Sequence, residues 1–398
     1  PLISGLQRKL LTEMILMDVA VIGAGISGLL SAYHLITKGV NVTIFERRDS
    51  FPRAHCTGIV SRSTLENMPY ANNFVVSRYN KVAFYLSIHG KISQINIRFR
   101  GFVAYKIDRY AHEIALIQHV KELGVPINPM STVLEINEES AGTEVEIYDR
   151  NNATTKRQLF DKVVVAEGYP GTLSAKIGCK SFSTSLHAIQ RDYVIRGALL
   201  DEHTLYIYID PHIFGYGFAW LVPFGDGKAV IGYAGEGFPS LAIYTKVVKF
   251  FSNTVGVDVK EHVSSFYGGN VLIGYPIEFF SKKGKSICIG DAVAMVKSIS
   301  GGGLYAISST SKMLSDLIIR EDRKAVNSLY NMAKELRKQY YIKKLLWETI
   351  SNSIYGRIIS LLTRHRTIEF EAKNLEYFDK HEKVLANILL ELYKLFEY

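Results

Sequence analysis

Asp18-Val-Ala-Val-Ile22 followed at once by Gly23-Ala-Gly25-Ile-Ser27-Gly28 decides the fold. The first five residues read as a buried strand. A helix runs on through Leu29–Thr37 and stops near Gly39, and a second strand, Val40–Phe45, ends in Glu46. Strand, glycine loop, helix, strand and acid in this order form the Rossmann-type dinucleotide fingerprint. Gly23 permits the tight turn, Gly25 lets backbone approach a pyrophosphate, and Gly28 lets helix and strand pack closely. The helix start offers free N–H groups and a positive dipole end to phosphates. Glu46, placed 18 residues beyond Gly28, can accept hydrogen bonds from ribose hydroxyls. The fingerprint alone does not separate FAD from NAD. Glu46 argues against a 2′-phosphate, although Arg47 and Arg48 follow it.

A second site lies far downstream. Lys285–Ile289 reads as a short strand feeding Gly290-Asp291-Ala292, and Ser300-Gly-Gly302-Gly303-Leu304 opens a helix to about Ile319. Asp291 can bind ribityl or ribose hydroxyls, and the helix start at Gly303 can face a pyrophosphate or the N1–C2 edge of a flavin. An ordinary Asp cap and loop is the plain alternative. Between the two sites lie Ile107-Asp108-Arg109 before the apolar-periodic helix Tyr110–Leu123, the strand Val163–Ala166 ending in Glu167-Gly168, and the aromatic segment Gly215–Gly227.

The order GAGISG, Glu46, CTGIVS, IDR, AEG, FAWLVP, IGDA, SGGGL resembles the geranylgeranyl reductase branch of the p-hydroxybenzoate-hydroxylase-type flavoproteins over roughly Asp18 to Ile319. The resemblance implies FAD bound in an extended form. Ser27 matches the phosphate loop, Glu46 the ribose acid, Arg109 the arginine near the pyrophosphate, and Val133 the strand lining the adenine. Asp291, Gly303 and Leu304 match the downstream flavin contacts. Cys56-Thr57-Gly58 matches a loop close to the isoalloxazine ring. With Gly23, Gly25, Gly28, Arg47 and Gly302, these are the expected cofactor contacts. There are departures. Phe218-Ala-Trp220-Leu-Val222-Pro223 keeps the Trp and Pro of the family's Y-x-W-x-F-P, an Asn-Pro is here Lys297-Ser298, and Glu167 stands for an Asp. They bear on the isoprenoid substrate more than on the cofactor.

Hydride chemistry belongs to the flavin, so the protein must position it and shape a pocket. Phe214, Tyr216, Phe218 and Trp220 are the candidate substrate wall, with core packing of a strand as the alternative. Cys56 is the candidate catalytic residue, relaying a proton or bracing the flavin; its plain reading is a small loop residue. Three function classes follow: a reductase of carbon–carbon double bonds in a prenyl lipid or related isoprenoid, a flavin monooxygenase or halogenase, and a flavin electron-transfer oxidoreductase. FAWLVP is similar to the W-x-W-x-I-P of halogenases, but no lysine in the sequence is assignable to a halogenase tunnel. Three scattered cysteines oppose an iron–sulfur segment. The electron donor is expected to be NAD(P)H or a ferredoxin.

With 398 residues, 47% of them hydrophobic, the chain can build one large or two interleaved domains. The expected fold class is α/β: a discontinuous Rossmann-type FAD-binding domain (18–178 plus 286–319), an inserted, mostly antiparallel β substrate domain (79–99 plus 180–275), and a helical C-terminal region (321–398). Residues 79–99 read as a hairpin turning at His89-Gly90, and Lys383–Tyr398 as an amphipathic end. Cys56, Cys179 and Cys288 have no metal spacing and form no disulfide framework; Cys179 and Cys288 read as buried small apolar residues, with a single bridge as the alternative. The net charge of +9 suits anionic substrates or contact with an anionic membrane surface. No nucleic-acid module is recognisable. No apolar run approaches the ~20 residues of a membrane span. Residues 1–16 lack a cleavage-type pattern and read as an extension ahead of Met17. A cytoplasmic protein, peripheral at the membrane, is expected.

Overall fold

A computed structural model describes residues 17–53, 56–88, 90–197, 200–351, 367–372, 378–381 and 383. The fingerprint strands form a five-stranded parallel sheet in the order β19-β12-β1-β2-β8. Its strands are β1 (Asp18–Ile22), β2 (Asn41–Phe45), β8 (Ile127–Asn128), β12 (Lys162–Val165) and β19 (Ser286–Cys288). Val19, Ala20, Val21, Val163, Val164 and Val165 are wholly buried, the continuous apolar run expected of a parallel sheet covered on both faces. Helix α1 (Ile26–Ile36) packs on this sheet and against α3 (Arg109–Glu122) and α7 (Leu304–Ile318). Two distant glycine loops are thereby brought together. The short helices α2 (Arg62–Asn67) and α4 (Thr172–Ile177) complete this half. Two small antiparallel sheets flank it: β9 (Ser131–Glu138), β10 (Thr143–Asp149) and β11 (Thr154–Phe160), and β3 (Ile59–Ser61), β7 (Ala104–Ile107) and β4 (Val75–Tyr79).

The second half is a nine-stranded sheet in the order β17-β13-β16-β15-β14-β5-β6-β20, with β18 also on β13. It contains β5 (Lys81–Ile88), β6 (Lys91–Phe99), β13 (Lys180–Arg196), β14 (Thr204–Ile209), β15 (Phe218–Phe224), β16 (Lys228–Gly235), β17 (Asp258–His262), β18 (Tyr267–Glu278) and β20 (Thr367–Ala372). Only the β14–β5 and β20–β6 pairs are parallel. The period-2 alternation of β14 and β15 builds two cores. Tyr206, Tyr208, Ala219 and Leu221 face helix α6 (Leu241–Val255), whereas Leu205, Trp220 and Val222 face the opposite side.

Helix α8 (Arg323–Ser351) supplies the expected helical C-terminal region, and β20 adds to it a strand along the open edge of β6. Two expectations change. Cys179 and Cys288 are paired as a disulfide, with Cα atoms 6.5 Å apart, rather than being separate apolar fillers. Cys179 follows the Gly178 cap of α4 and Cys288 ends β19, so strand order joins positions 109 residues apart. Phe214 ends the short helix α5 (Pro211–Phe214), wholly buried beside Tyr208 and Tyr233. It belongs to the α6-side core and leaves Tyr216, Phe218 and Trp220 on the other. His89, residues 352–366 and residues 384–398 lie outside the described residues. Among the described residues no helix is long and apolar enough to cross a membrane.

Candidate functional site

The glycine loop has the shape of a phosphate cradle. A Cβ on Gly28 would sit 1.9 Å from the Gly23 carbonyl oxygen, and one on Gly23 (φ +104°) 2.4 Å from that of Ala166. Gly25, the residue before α1, has open space where its Cβ would be, and no side chain caps the helix start. Uncapped N–H groups facing open space suit an anion. Glu46 is 4% exposed, its carboxylate fixed by the N–H of Ala24 at 2.7 Å and of Arg48 at 2.9 Å. Arg47 points to solvent. The Ser131 N–H bonds the Glu46 carbonyl, so the strand carrying Val133 runs beside this acid.

The downstream loop closes on the first. A Cβ on Gly290 would meet Ser27 Oγ at 2.3 Å, and one on Gly303 would lie 3.5 Å from Asp291 Oδ1. Helix α7 begins at Gly303–Leu304, also without a side-chain cap. Asp291 is solvent-accessible yet closely surrounded by protein. Desolvation raises its carboxyl pKa, and the Arg109 guanidinium works against the rise. Arg109 is held by Glu113 one turn along α3 (Nε–Oε1 3.0 Å). Two uncapped helix starts, a buried acid, and Asp291 within the electrostatic reach of Arg109 are the groups a dinucleotide such as FAD requires. Val133 is 7% exposed on β9, and Gly302 and Leu304 flank the second helix start.

Cys56 is exposed, with its sulfur accepting from the Gly58 N–H at 3.3 Å. Lys106 and Arg109 both lie within electrostatic reach of the thiol. The loop is tied to the aromatic strand through a residue the sequence did not single out. Gln190 Oε1 accepts from Thr57 Oγ1 at 2.8 Å and from Trp220 Nε1 at 3.1 Å. Lys106, beneath the ring of Phe224, donates to the Thr57 carbonyl at 2.8 Å. Gly232 lies below this bridge, where a Cβ would be 2.5 Å from Gln190 and 2.8 Å from the Trp220 ring. Tyr216, Phe218 and Trp220 share one core with Tyr340 and Phe378 from the C-terminal region. A cleft of about 720 Å³, lined by Lys81, Asp201 and Glu371 among others, shares no residue with these loops.

Sequence reasoning also missed the inward face of α8. Leu329, Met332, Ala333 and Leu336 form its apolar stripe, and Gln339, Lys343 and Trp347 continue that stripe at helical spacing. Lys343 is 1% exposed. Its ammonium donates to the Ile299 carbonyl at 3.3 Å and faces the rings of Trp347 (4.6 Å) and Phe218 (5.7 Å). Burial alone lowers its pKa to about 7. Two turns carrying Gln and Lys on an otherwise apolar stripe were the available signal.

Residues 18–113 match the family model described as FAD dependent oxidoreductase. An uncharacterized protein of Methanocaldococcus jannaschii is 23% identical over 94% of this chain and 95% of its own length. A digeranylgeranylglycerophospholipid reductase of Methanosarcina acetivorans is 25% identical over 75% of this chain and 74% of that protein. In fold, the chain is similar to a geranylgeranyl bacteriochlorophyll reductase-like protein of Thermoplasma acidophilum (TM-score 0.70, 16% identity, 95% and 99% of the two chains). It is similar also to p-nitrophenol 4-monooxygenase of Pseudomonas putida (TM-score 0.66, 17% identity, 96% and 98%). The glycine loops, the family model over residues 18–113 and the reductase-named relatives agree with the motif order: the chain is an FAD-dependent oxidoreductase, similar in sequence and fold to reductases of geranylgeranyl chains.

Proposed function

We propose that this protein saturates carbon–carbon double bonds in the prenyl chains of a lipid. The observation that carries the reading is the Thr57–Gln190–Trp220 bridge, which locks the cysteine loop to the aromatic strand as one unit. The name of the Methanosarcina relative supplies the substrate class. Gly23, Gly25, Ser27 and Gly28 hold the diphosphate, Glu46 the ribose, and Val133 borders the adenine. Asp291 and Arg109 bind the ribityl–diphosphate stretch, and Gly302, Gly303 and Leu304 line the ring. Reduced FAD, when bound, supplies a hydride. Tyr216, Phe218 and Trp220 form an apolar wall that excludes water and stabilises positive charge developing on the chain. Cys56, within electrostatic reach of Lys106 and Arg109, presents a proton to the second carbon. The electron donor is a reduced nicotinamide or a ferredoxin. The excess of basic residues favours an anionic headgroup and contact with an anionic membrane surface.

The test is anaerobic incubation of dithionite-reduced protein with a geranylgeranyl-chain glycerophospholipid. Product mass should rise by two hydrogens for each bond saturated, with matching flavin reoxidation. Unchanged lipid, together with a substrate-linked oxygen burst on an aromatic compound, would instead establish the monooxygenase reading that the Pseudomonas fold likeness keeps in view.

A further inference from the structure

We propose that Lys343 is the built-in counter-charge of the reduced flavin, so that the protein binds the two-electron-reduced cofactor more tightly than the oxidised one. The proposal rests on bound FAD and is independent of which substrate accepts the hydride.

Lys343 is 1% exposed, and no carboxylate among the described residues lies within ion-pair distance of it. The other ionisable groups packed around it come from the loop before α7 and from residues 378–381, and they cancel or stay neutral. Lys297 and Asp379 form a buried ion pair at 2.8 Å, braced by Ser63 on Asp379. His381 feels Lys297, Asp379 and Lys343, and desolvation holds its pKa down at about 3, so it carries no charge near neutrality. Lys343, when protonated, is the one charge of this cluster left without an anion. Folds rarely bury an ammonium without an anion, because the lost hydration is not returned by one carbonyl contact and two ring faces.

The Lys343 ammonium rests on the Ile299 carbonyl, and Ile299 is the base of the turn whose Gly302, Gly303 and Leu304 are proposed to border the flavin. The turn is short and fixed: Lys297 N–H bonds the Gly302 carbonyl at 3.0 Å, and Gly301 N–H returns to the Lys297 carbonyl at 2.8 Å. The cation therefore lies directly behind the flavin loop, on the side of Phe218. Trp347, whose ring faces the ammonium at 4.6 Å, has its own Nε1–H donor buried without a partner among the described residues.

The balance is simple. Oxidised FAD takes two electrons and one proton from an external donor and becomes an anionic hydroquinone; no bond to the protein forms. The new negative charge lies in a site of low dielectric, where a nearby cation is worth far more than in water. Lys343, if neutral beforehand, takes a second proton from solvent as the anion forms. Reduction thereby completes an ion pair that the oxidised protein lacks, and the midpoint potential rises.

The test uses the FAD-loaded full chain, wild type, Lys343→Met and Lys343→Arg, reduced stepwise with dithionite against a reference dye. Lys343→Met should lower the midpoint potential by about 30 mV or more, a tenfold loss in preference for the reduced over the oxidised flavin. Lys343→Arg should keep most of it. FAD affinity in the oxidised state should change much less in both variants. An unchanged potential in Lys343→Met would overturn the proposal, and so would equal weakening of oxidised and reduced FAD. A drop of the same size in Lys343→Arg would assign the effect to packing and overturn it equally. Lipid reduction is not part of the readout, so failure of the substrate reading remains separable.

Discussion

At the scale of single residues, most of the chemistry turns on short backbone approaches and on one shared acceptor. Gly28→Ala puts a methyl 1.9 Å from the Gly23 carbonyl, which neither backbone can yield without moving α1. It should cost about 3 kcal/mol of stability by overpacking and abolish tight FAD binding, read by thermal melts with and without FAD. Gln190 is the more informative position. Replacing it with Leu keeps its bulk but orphans Thr57 Oγ1 and Trp220 Nε1, each worth about 1–3 kcal/mol when buried and unpaired. Gln190→Leu should lower kcat about tenfold with FAD affinity unchanged. Thr57→Val should do the same, and the double variant should be little worse than either single one. Additive losses would show that the two hydrogen bonds do not act as one bridge.

At the scale of elements, the parallel strands and the two glycine-led helices were legible because their signals are local. VAVI, VVV and the glycine spacings need no partner to be read, and Glu46, Asp291 and Arg109 could be placed by motif. Gln190, Lys106, Glu113 and Lys343 were not legible, since each acts through a contact made across strands or helix turns. Phe214 misled because the pattern GYGFAW does not reveal that a short helix ends just before it and turns it into the other core. Strand β20 was hidden for a similar reason: TIEFEA is a strand only because β6 offers it an open edge. Helix α8 yields its own prediction. The buried Lys343 has a folded-state pKa of about 7 against 10.5 in the unfolded chain, so the unfolded chain binds the extra proton between those values. Folding stability therefore rises with pH across that window, and the penalty is greatest below pH 7. In the oxidised protein Lys343→Met should melt higher than wild type at pH 6, by roughly a few kcal/mol. The advantage should fade towards pH 10.5, as pH-series melts would show.

At the scale of the whole molecule, two halves with different sheet logic are joined through the Thr57–Gln190–Trp220 bridge. The parallel sheet supplies uncapped helix starts at the ends of its strands. The nine-stranded sheet supplies an aromatic wall, and the C-terminal region covers it through Tyr340 and Phe378. The Cys179–Cys288 bridge closes a loop of 109 residues between β13 and β19, and so joins the inserted sheet to the strand that leads into Asp291. Denatured but unreduced protein should present one reactive thiol, Cys56, of the three cysteines; three would deny the bridge. Reduction should lower stability by about 2–4 kcal/mol, as thermal melts with and without reductant would register.

FAD is proposed to lie between the helix start at Gly25 and the helix start at Gly303. The direct measurement is an FAD titration of the purified chain, followed by absorbance and by melting temperature. A yellow complex at one FAD per chain is expected, stabilised by about 2.7 kcal/mol when free FAD is a hundredfold above its dissociation constant. Protein that stays colourless in excess FAD, with an unmoved melting temperature, would contradict it.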